Sequence, residues 1–291
     1  MTVGAPEHEE APAGREGRPG ENTWGRRYLM CPPAHFEVLY QINPWMHHGV
    51  AVDPDLAHAQ WEALVDLLRT AGAEVELQPP QEGLPDLVFT ANAGLLNGRR
   101  FVPSRFRNPE RQGEMVHDIA WFAAHGWEVH ELPEAVAHEG AGDALPFGGV
   151  LLSGHRWRSD VVAHPLVADR LRVPVRSVEL TDERFYHLDI TFCPLDDRRA
   201  ITTPDVWGAH GRKVVEALVP EPLALELHEA ETFCANSVVV GRNIVMPSCP
   251  PRVGRQLEAW GFEVAVADVG EFLKAGGGVR CLTLALDVDL G

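Results

Sequence analysis

One plan recurs along this chain: apolar strand, tight turn, second strand, helix, third strand, at intervals of about 40–55 residues. Leu87–Leu96 reads as a strand, Asn97-Gly98 as its hairpin turn and Arg100–Pro103 as the partner. Gln112–His125 then places Met115, Ile119 and Phe122 on one helical face and stops at Gly126, and Trp127–Leu132 alternates like a strand. A second copy runs through Ala144–Leu152, a turn at Ser153-Gly154, a helix before Val173 and a strand at Val175–Leu180. The third has His187–Leu195, a turn at Asp196-Asp197, Ala200–Thr203, a helix at Gly211–Leu218 and Leu223–Leu227. The fourth has Ser237–Val240, a turn at Gly241-Arg242, Asn243–Met246, a helix at Val253–Trp260 and Phe262–Val266. The remaining copy is split. A strand beginning near Arg27, the helix Asp55–Ala71 and the strand Glu74–Leu77 open the folded part, and Leu282–Leu286 supplies the missing strand at its end.

One such unit cannot bury its own apolar face, so the repetition implies a closed radial array. Pairing the first strand group with the last would close it and remove an exposed sheet edge. A four-stranded propeller blade would lack the helix. The expected fold is therefore α/β, with five pseudo-symmetric ββαβ units around a central axis. Residues 1–23 carry Glu, Gly, Pro and Ala with almost no large apolar side chains, which predicts a disordered tail before a single domain over 24–291.

Composition excludes several classes of function. The net charge of −17 repels nucleic acid and anionic membranes and favours a small cationic partner. No apolar run reaches the roughly 20 residues that span a bilayer, and the N-terminus lacks the apolar core of a signal peptide. Five widely spaced cysteines without a CxxC pair argue against a disulfide framework or a zinc site and for the reducing cytoplasm. No metal or organic cofactor is implied, and a homo-oligomer is allowed but not specified.

Four stretches have the makings of a site. Cys281 follows Gly276-Gly277-Gly278, where a glycine backbone can present N–H donors to a sulfur. His187 and Asp189 in His-Leu-Asp would face one way on a strand. Glu139-Gly-Ala-Gly-Asp143 sets two carboxylates around small residues, and Asn92 ends the apolar run Leu87-Val-Phe-Thr-Ala. Each alone has an ordinary structural explanation: a core cysteine, a hydrogen-bonding histidine, a polar turn, a strand end.

Together, in this order, they resemble the signature of the guanidino-modifying enzymes, the pentein superfamily of arginine deiminases, dimethylarginine dimethylaminohydrolases, amidinotransferases and arginine dihydrolases. The resemblance covers nearly the whole chain after Arg27. It implies the pentein α/β-propeller and a cysteine-dependent hydrolase of a guanidinium group, with Cys281 attacking the guanidinium carbon. His187 would protonate the leaving amine and then activate water. Glu139 and Asp189 would bind the guanidinium nitrogens. Asp143 follows with a gap one residue longer than the family's form. Arg111 and Arg158 would take the substrate α-carboxylate. Where deiminases carry aspartate this chain has Asn92, as arginine dihydrolases do. Met30-Cys31-Pro32-Pro33 and Ile42-Asn43-Pro44-Trp45-Met46 also match that branch, which adds Asn43 as a substrate-holding residue. The implied product is ornithine with ammonia. Dimethylargininase, amidinotransferase and a non-catalytic binding protein are the alternatives.

Overall fold

The structure is a computed structural model that describes residues 22–47 and 49–291; the expected tail, apart from Asn22 and Thr23, lies outside the described residues. Its strands form five three-stranded sheets. In the first, β1 (Arg27–Met30) runs parallel to β2 (Glu74–Leu77), and the helix Pro54–Thr70 connects them. The second holds β3 (Gly94–Asn97), β4 (Arg100–Pro103) and β5 (Glu128–Val129), and the third β6 (Ala144–Phe147), β7 (Val150–His155) and β8 (Val175–Glu179). The fourth holds β9 (Phe192–Pro194), β10 (Arg199–Thr202) and β11 (Glu221–Ala224), and the fifth β12 (Val238–Val240), β13 (Asn243–Met246) and β14 (Glu263–Val266). Finally β15 (Leu284–Ala285) pairs antiparallel with β1, Tyr28 opposite Ala285, and completes the first sheet.

Every sheet therefore has an antiparallel pair, a hairpin in all but the first, and a helical crossover to a parallel third strand. This is the five-unit ββαβ plan expected from the sequence, with the split unit closed as expected. The helices form for local reasons. Asp53 caps Pro54–Thr70, its carboxylate accepting from the N–H groups of Asp55 and Leu56, and proline occupies the first turn. Ala57, Trp61, Leu64, Val65 and Leu68 then make one buried stripe, which packs with Tyr28, Leu29 and Leu284 in the largest apolar cluster. No helix among the described residues is long and apolar enough to cross a membrane.

Three expectations are corrected. Leu87–Leu96 and His187–Leu195 are not continuous strands. Their first halves are short 3-10 turns, at Pro85–Val88, Thr90–Ala93 and Leu188–Ile190, and only Gly94–Asn97 and Phe192–Pro194 are extended. Apolar runs buried on all sides carry no period that distinguishes the two. The turn of the third sheet falls at Gly148-Gly149, both at positive φ (57° and 76°), not at Ser153-Gly154, which lie within β7. Two consecutive left-handed residues are what a tight hairpin needs and what glycine supplies. The strand expected over Trp127–Leu132 shrinks to Glu128–Val129.

Candidate active site

Each sheet is entered through a turn. Thr90–Ala93 precedes β3, Gly140–Gly142 precedes β6, Leu188–Ile190 precedes β9, Glu231–Asn236 precedes β12 and Val279–Leu282 precedes β15. The Gly140–Gly142 turn packs against both Thr90–Ala93 and Leu188–Ile190. Thr90 ties its turn to both ends of the chain: its hydroxyl donates to the Leu29 and Leu282 carbonyls, and the next residue's N–H, on Ala91, donates to the Cys281 carbonyl. A narrow pocket opens on these turns, lined in part by Asn43, Asp86, Asn92, Arg111, Arg158, Tyr186, His187 and Cys281.

Residues nearly fifty positions apart meet here. His187 Nε2 lies 2.9 Å from Glu139 Oε2, and Arg158 Nη1 donates to that same oxygen at 2.8 Å. Glu139 Oε1 accepts the Arg107 backbone N–H at 3.2 Å, so both oxygens are taken by protein donors. Burial alone would raise this carboxyl, but Arg158 and His187 outweigh it and hold Glu139 well below the usual range. Burial pulls the His187 imidazole down to about 4 against the pull of Glu139, so at neutral pH the ring is neutral beside a carboxylate.

Cys281, 4% exposed, has its sulfur 3.4 Å from Asp189 Oδ2. Asp189 Oδ1 is buried with no hydrogen-bond partner, the kind of orphan that a ligand's N–H would satisfy. Burial, opposed by Arg280, raises Asp189 to about 7. Burial first, and then the Asp189 charge, push the Cys281 thiol well above its ordinary value. The resting sulfur is a thiol.

Asn92 sits in a fixed orientation: Arg111 Nη1 donates to its Oδ1 at 2.8 Å, and its Nδ2 donates to the Glu139 carbonyl at 2.8 Å. The two arginines differ. Of the five N–H groups of a guanidinium, Arg111 uses four, on Glu114 (2.8 and 2.7 Å), the Asp86 carbonyl (3.1 Å) and Asn92. Arg158 uses two, one from each terminal nitrogen, on Glu139 and the Ile42 carbonyl, and has three N–H groups left. Asn43 lines the pocket while pinning its own loop, Oδ1 accepting from the N–H groups of Trp45 and Met46 and Nδ2 donating to the Ala275 carbonyl. Asp143, like Glu139 and Asp189, is not among the residues that line the pocket. It braces the site from behind, accepting the Ser159 hydroxyl at 2.5 Å and the Leu188 N–H at 3.2 Å.

Three residues of this site carry no role in the sequence reading. Asp86 presents a buried, unpartnered Oδ1 to the pocket, and burial raises its carboxyl against the opposing Arg111 charge. Glu114 clamps Arg111 and is pushed up to about 8 by burial despite that ion pair. Asn236, completely buried, touches the Cys281 sulfur. Asp86 stands in the Pro-Asp-Leu-Val-Phe-Thr run, where a carboxylate inside an apolar stretch was the available signal. Among the described residues no cluster of His, Cys, Asp and Glu is arranged to hold a metal ion. All five cysteines are free.

No family model matches the chain. It is 42% identical over 263 residues to the bifunctional arginine dihydrolase/ornithine cyclodeaminase AgrE of Nostoc sp., an alignment that covers 89% of this chain but 37% of AgrE. Against the N(G),N(G)-dimethylarginine dimethylaminohydrolase of Mycobacterium tuberculosis it is 40% identical over 277 residues, covering 94% of this chain and 90% of that protein. Among solved structures, the substrate-bound N-terminal domain of ArgZ, a cyanobacterial arginine dihydrolase with its cysteine replaced by serine, superposes with a TM-score of 0.88 at 40% identity. That match covers 91% of this chain and 99% of the domain.

Proposed function

This chain belongs to the pentein superfamily of guanidino-modifying enzymes, and on that premise we propose that it is a cysteine-dependent amidine hydrolase taking arginine to ornithine, carbon dioxide and ammonia, with residues 24–291 acting as one catalytic domain. The observation that carries this reading is the neutral carboxamide of Asn92, locked between Arg111 and the Glu139 carbonyl. It retains one N–H and one lone pair for a ligand. Such a group serves a cationic guanidinium and, equally, the neutral urea group left after one hydrolysis, whereas a carboxylate can only accept and has no N–H for the urea oxygen.

In the first half-reaction the guanidinium enters beside Asp189, whose free Oδ1 accepts one of its N–H groups. The arriving positive charge offsets Asp189 and favours transfer of the thiol proton to His187, whose imidazole is neutral at rest. The Cys281 thiolate attacks the guanidinium carbon, forming the S–C bond, and the C–N bond breaks as ammonia leaves with a proton from His187. Water then gives a proton to His187 and adds to the sulfur-bound carbon, and the thiolate departs. Arginine plus water has become citrulline plus ammonia. A second addition of water at the ureido carbon yields ornithine, carbon dioxide and a second ammonia. Glu139 orients His187 and stabilises its charged form. The remaining N–H groups of Arg158 take the α-carboxylate, while Arg111 serves mainly by fixing Asn92. Asp86 receives the α-ammonium, and Asn43 holds the loop that covers the pocket.

The second reading, dimethylargininase, uses the same machinery and is favoured by the mycobacterial relative, whose length this chain nearly spans. Free thiols and the acidic surface support a cytoplasmic setting and a small cationic substrate. An end-point assay with arginine, asymmetric dimethylarginine and citrulline, quantifying ornithine, citrulline, ammonia and dimethylamine, tests both. Ornithine and two ammonia from arginine are expected; dimethylamine from the methylated substrate without ornithine would move the chain to the second reading.

A further inference from the structure

We propose that Asn236 is a catalytic residue whose side-chain amide holds the Cys281 sulfur and stabilises it as a thiolate. The five sheets are entered at equivalent positions, and four of those turns carry Asn92, Glu139, His187 with Asp189, and Cys281. The fifth, before β12, carries Asn236, completely buried and aimed at the same place. This turn contains Phe233 at φ 60°, one of three non-glycine residues among the described ones at positive φ, and its carbonyl accepts the Asn236 N–H at 2.8 Å. Residues held in that region cluster where function demands their geometry.

The hydrogen bonds of Asn236 leave its amide no alternative orientation. Oδ1 accepts two backbone N–H groups, from Arg280 at 3.0 Å and Cys281 at 3.3 Å, so the oxygen end is fixed by donors that cannot reverse. The nitrogen end must then face the other way, where it donates to the Asp189 carbonyl at 3.3 Å and the Cys281 sulfur at 3.2 Å. A carboxamide has two donor hydrogens and two acceptor lone pairs, and all four are used. The fit also explains Gly278: a Cβ there would lie 2.6 Å from Asn236 Oδ1.

A thiol is a weak acceptor and a thiolate a strong one, so a fixed N–H donor stabilises the charged form selectively. Asp189 does the reverse. Its Oδ2 accepts the S–H of the resting thiol and repels the thiolate. The same donor favours the sulfur as a leaving group when the covalent intermediate breaks down. This inference rests on Cys281 as the nucleophile but not on which amidine is the substrate.

The test is the pH dependence of iodoacetamide alkylation of Cys281 in the ligand-free protein, with kcat and KM on whichever substrate is turned over. The titratable or charged groups around the sulfur are Asp189, Tyr186 and His187, with Arg280 beyond Asp189, and substitution at 236 leaves all of them in place. Asn236→Ala should move the alkylation profile about 1 unit towards alkaline pH, the loss of one hydrogen bond to a charged group. It should lower kcat about 10- to 100-fold with KM changed little. Should that variant not fold, Asn236→Asp decides. It keeps an oxygen for the two backbone N–H groups and turns a second one on the sulfur, so alkylation should be suppressed further. A wild-type alkylation profile in either folded variant would overturn the proposal. Absence of turnover in the wild type would count against the proposed reaction alone, since the alkylation comparison needs no substrate.

Discussion

His187 Nε2 and Glu139 Oε2 lie 2.9 Å apart inside the protein, a neutral imidazole against a carboxylate that Arg158 also neutralises. Replacing the carboxylate removes the group that stabilises the imidazolium and leaves the Arg158 guanidinium without its counter-charge. Glu139→Gln should therefore lower kcat/KM by about 100-fold or more. It should also cost about 3–5 kcal/mol of stability, as breaking a buried ion pair does. Steady-state kinetics and urea titration read the two effects separately, and wild-type kinetics in a destabilised protein would reduce Glu139 to a structural brace.

Cys281→Ser changes one atom in a nearly inaccessible position. Turnover should vanish while the thermal transition stays within a few degrees of wild type, checked by product analysis and circular dichroism. Retained turnover would remove the sulfur from the mechanism.

The resting thiol should be sluggish. A glycine-rich backbone can present N–H donors to the sulfur, but burial and the Asp189 charge raise its titration. Because the thiolate fraction grows as pH rises towards a raised pKa, alkylation at pH 7 should be slower than for free cysteine and accelerate into the alkaline range. Iodoacetamide kinetics between pH 6 and pH 10 give the answer. Fast alkylation at neutral pH would mean that the free enzyme already carries a thiolate.

Asn92→Asp should shift products from ornithine towards citrulline. The new carboxylate would keep its contact with Arg111 but set an oxygen against the Glu139 carbonyl, where an amide N–H now donates. The altered group would hold a cationic guanidinium well and a neutral ureido group badly. The product ratio from arginine measures this, and an unchanged ratio would relieve Asn92 of that role.

Acid should weaken the fold through a buried histidine. His138 is neutral, its imidazole pulled down to about 3 chiefly by burial and then by nearby His164. The ordinary value is near 6.5, so below it the unfolded chain takes up a proton that the folded one refuses. Stability contributed above pH 6.5 is thus lost as pH falls towards 3. Between pH 7 and pH 5 the loss from this residue amounts to about 2 kcal/mol. His138→Gln should show that much less change between urea midpoints at the two values; an equal change would mean that the imidazole is charged in the folded state.

The repeating plan was legible because its outer parts are patterned. Arg100–Pro103, Glu74–Leu77 and Asn243–Met246 fall where hairpin turns and alternation put them, and the helices end within a few residues of their expected limits. The inner turns were not legible. Thr90–Ala93 and Leu188–Ile190 are enclosed on all sides, so their sequences record burial and not period, and His187 and Asp189 meet the site from a turn instead of along one strand face. Asn236 escaped notice because one amide in an apolar stretch looks like any other until the backbone N–H groups that orient it come from the far end of the molecule. Asp143 is held by the Ser159 hydroxyl and the Leu188 N–H, a placement that spacing along the chain does not reveal.

The pairing of β1 with β15 makes the position of Cys281 a property of the whole polymer. Cys281 lies just before a two-residue strand whose partner is the first strand of the fold, and Thr90 staples the same junction from a third place. Contacts between such distant points are the slowest to form. A chain whose other four sheets were already assembled would still carry an unplaced sulfur, so the gain of catalysis during refolding should lag behind the gain of secondary structure and serve as a clock for the last act of folding.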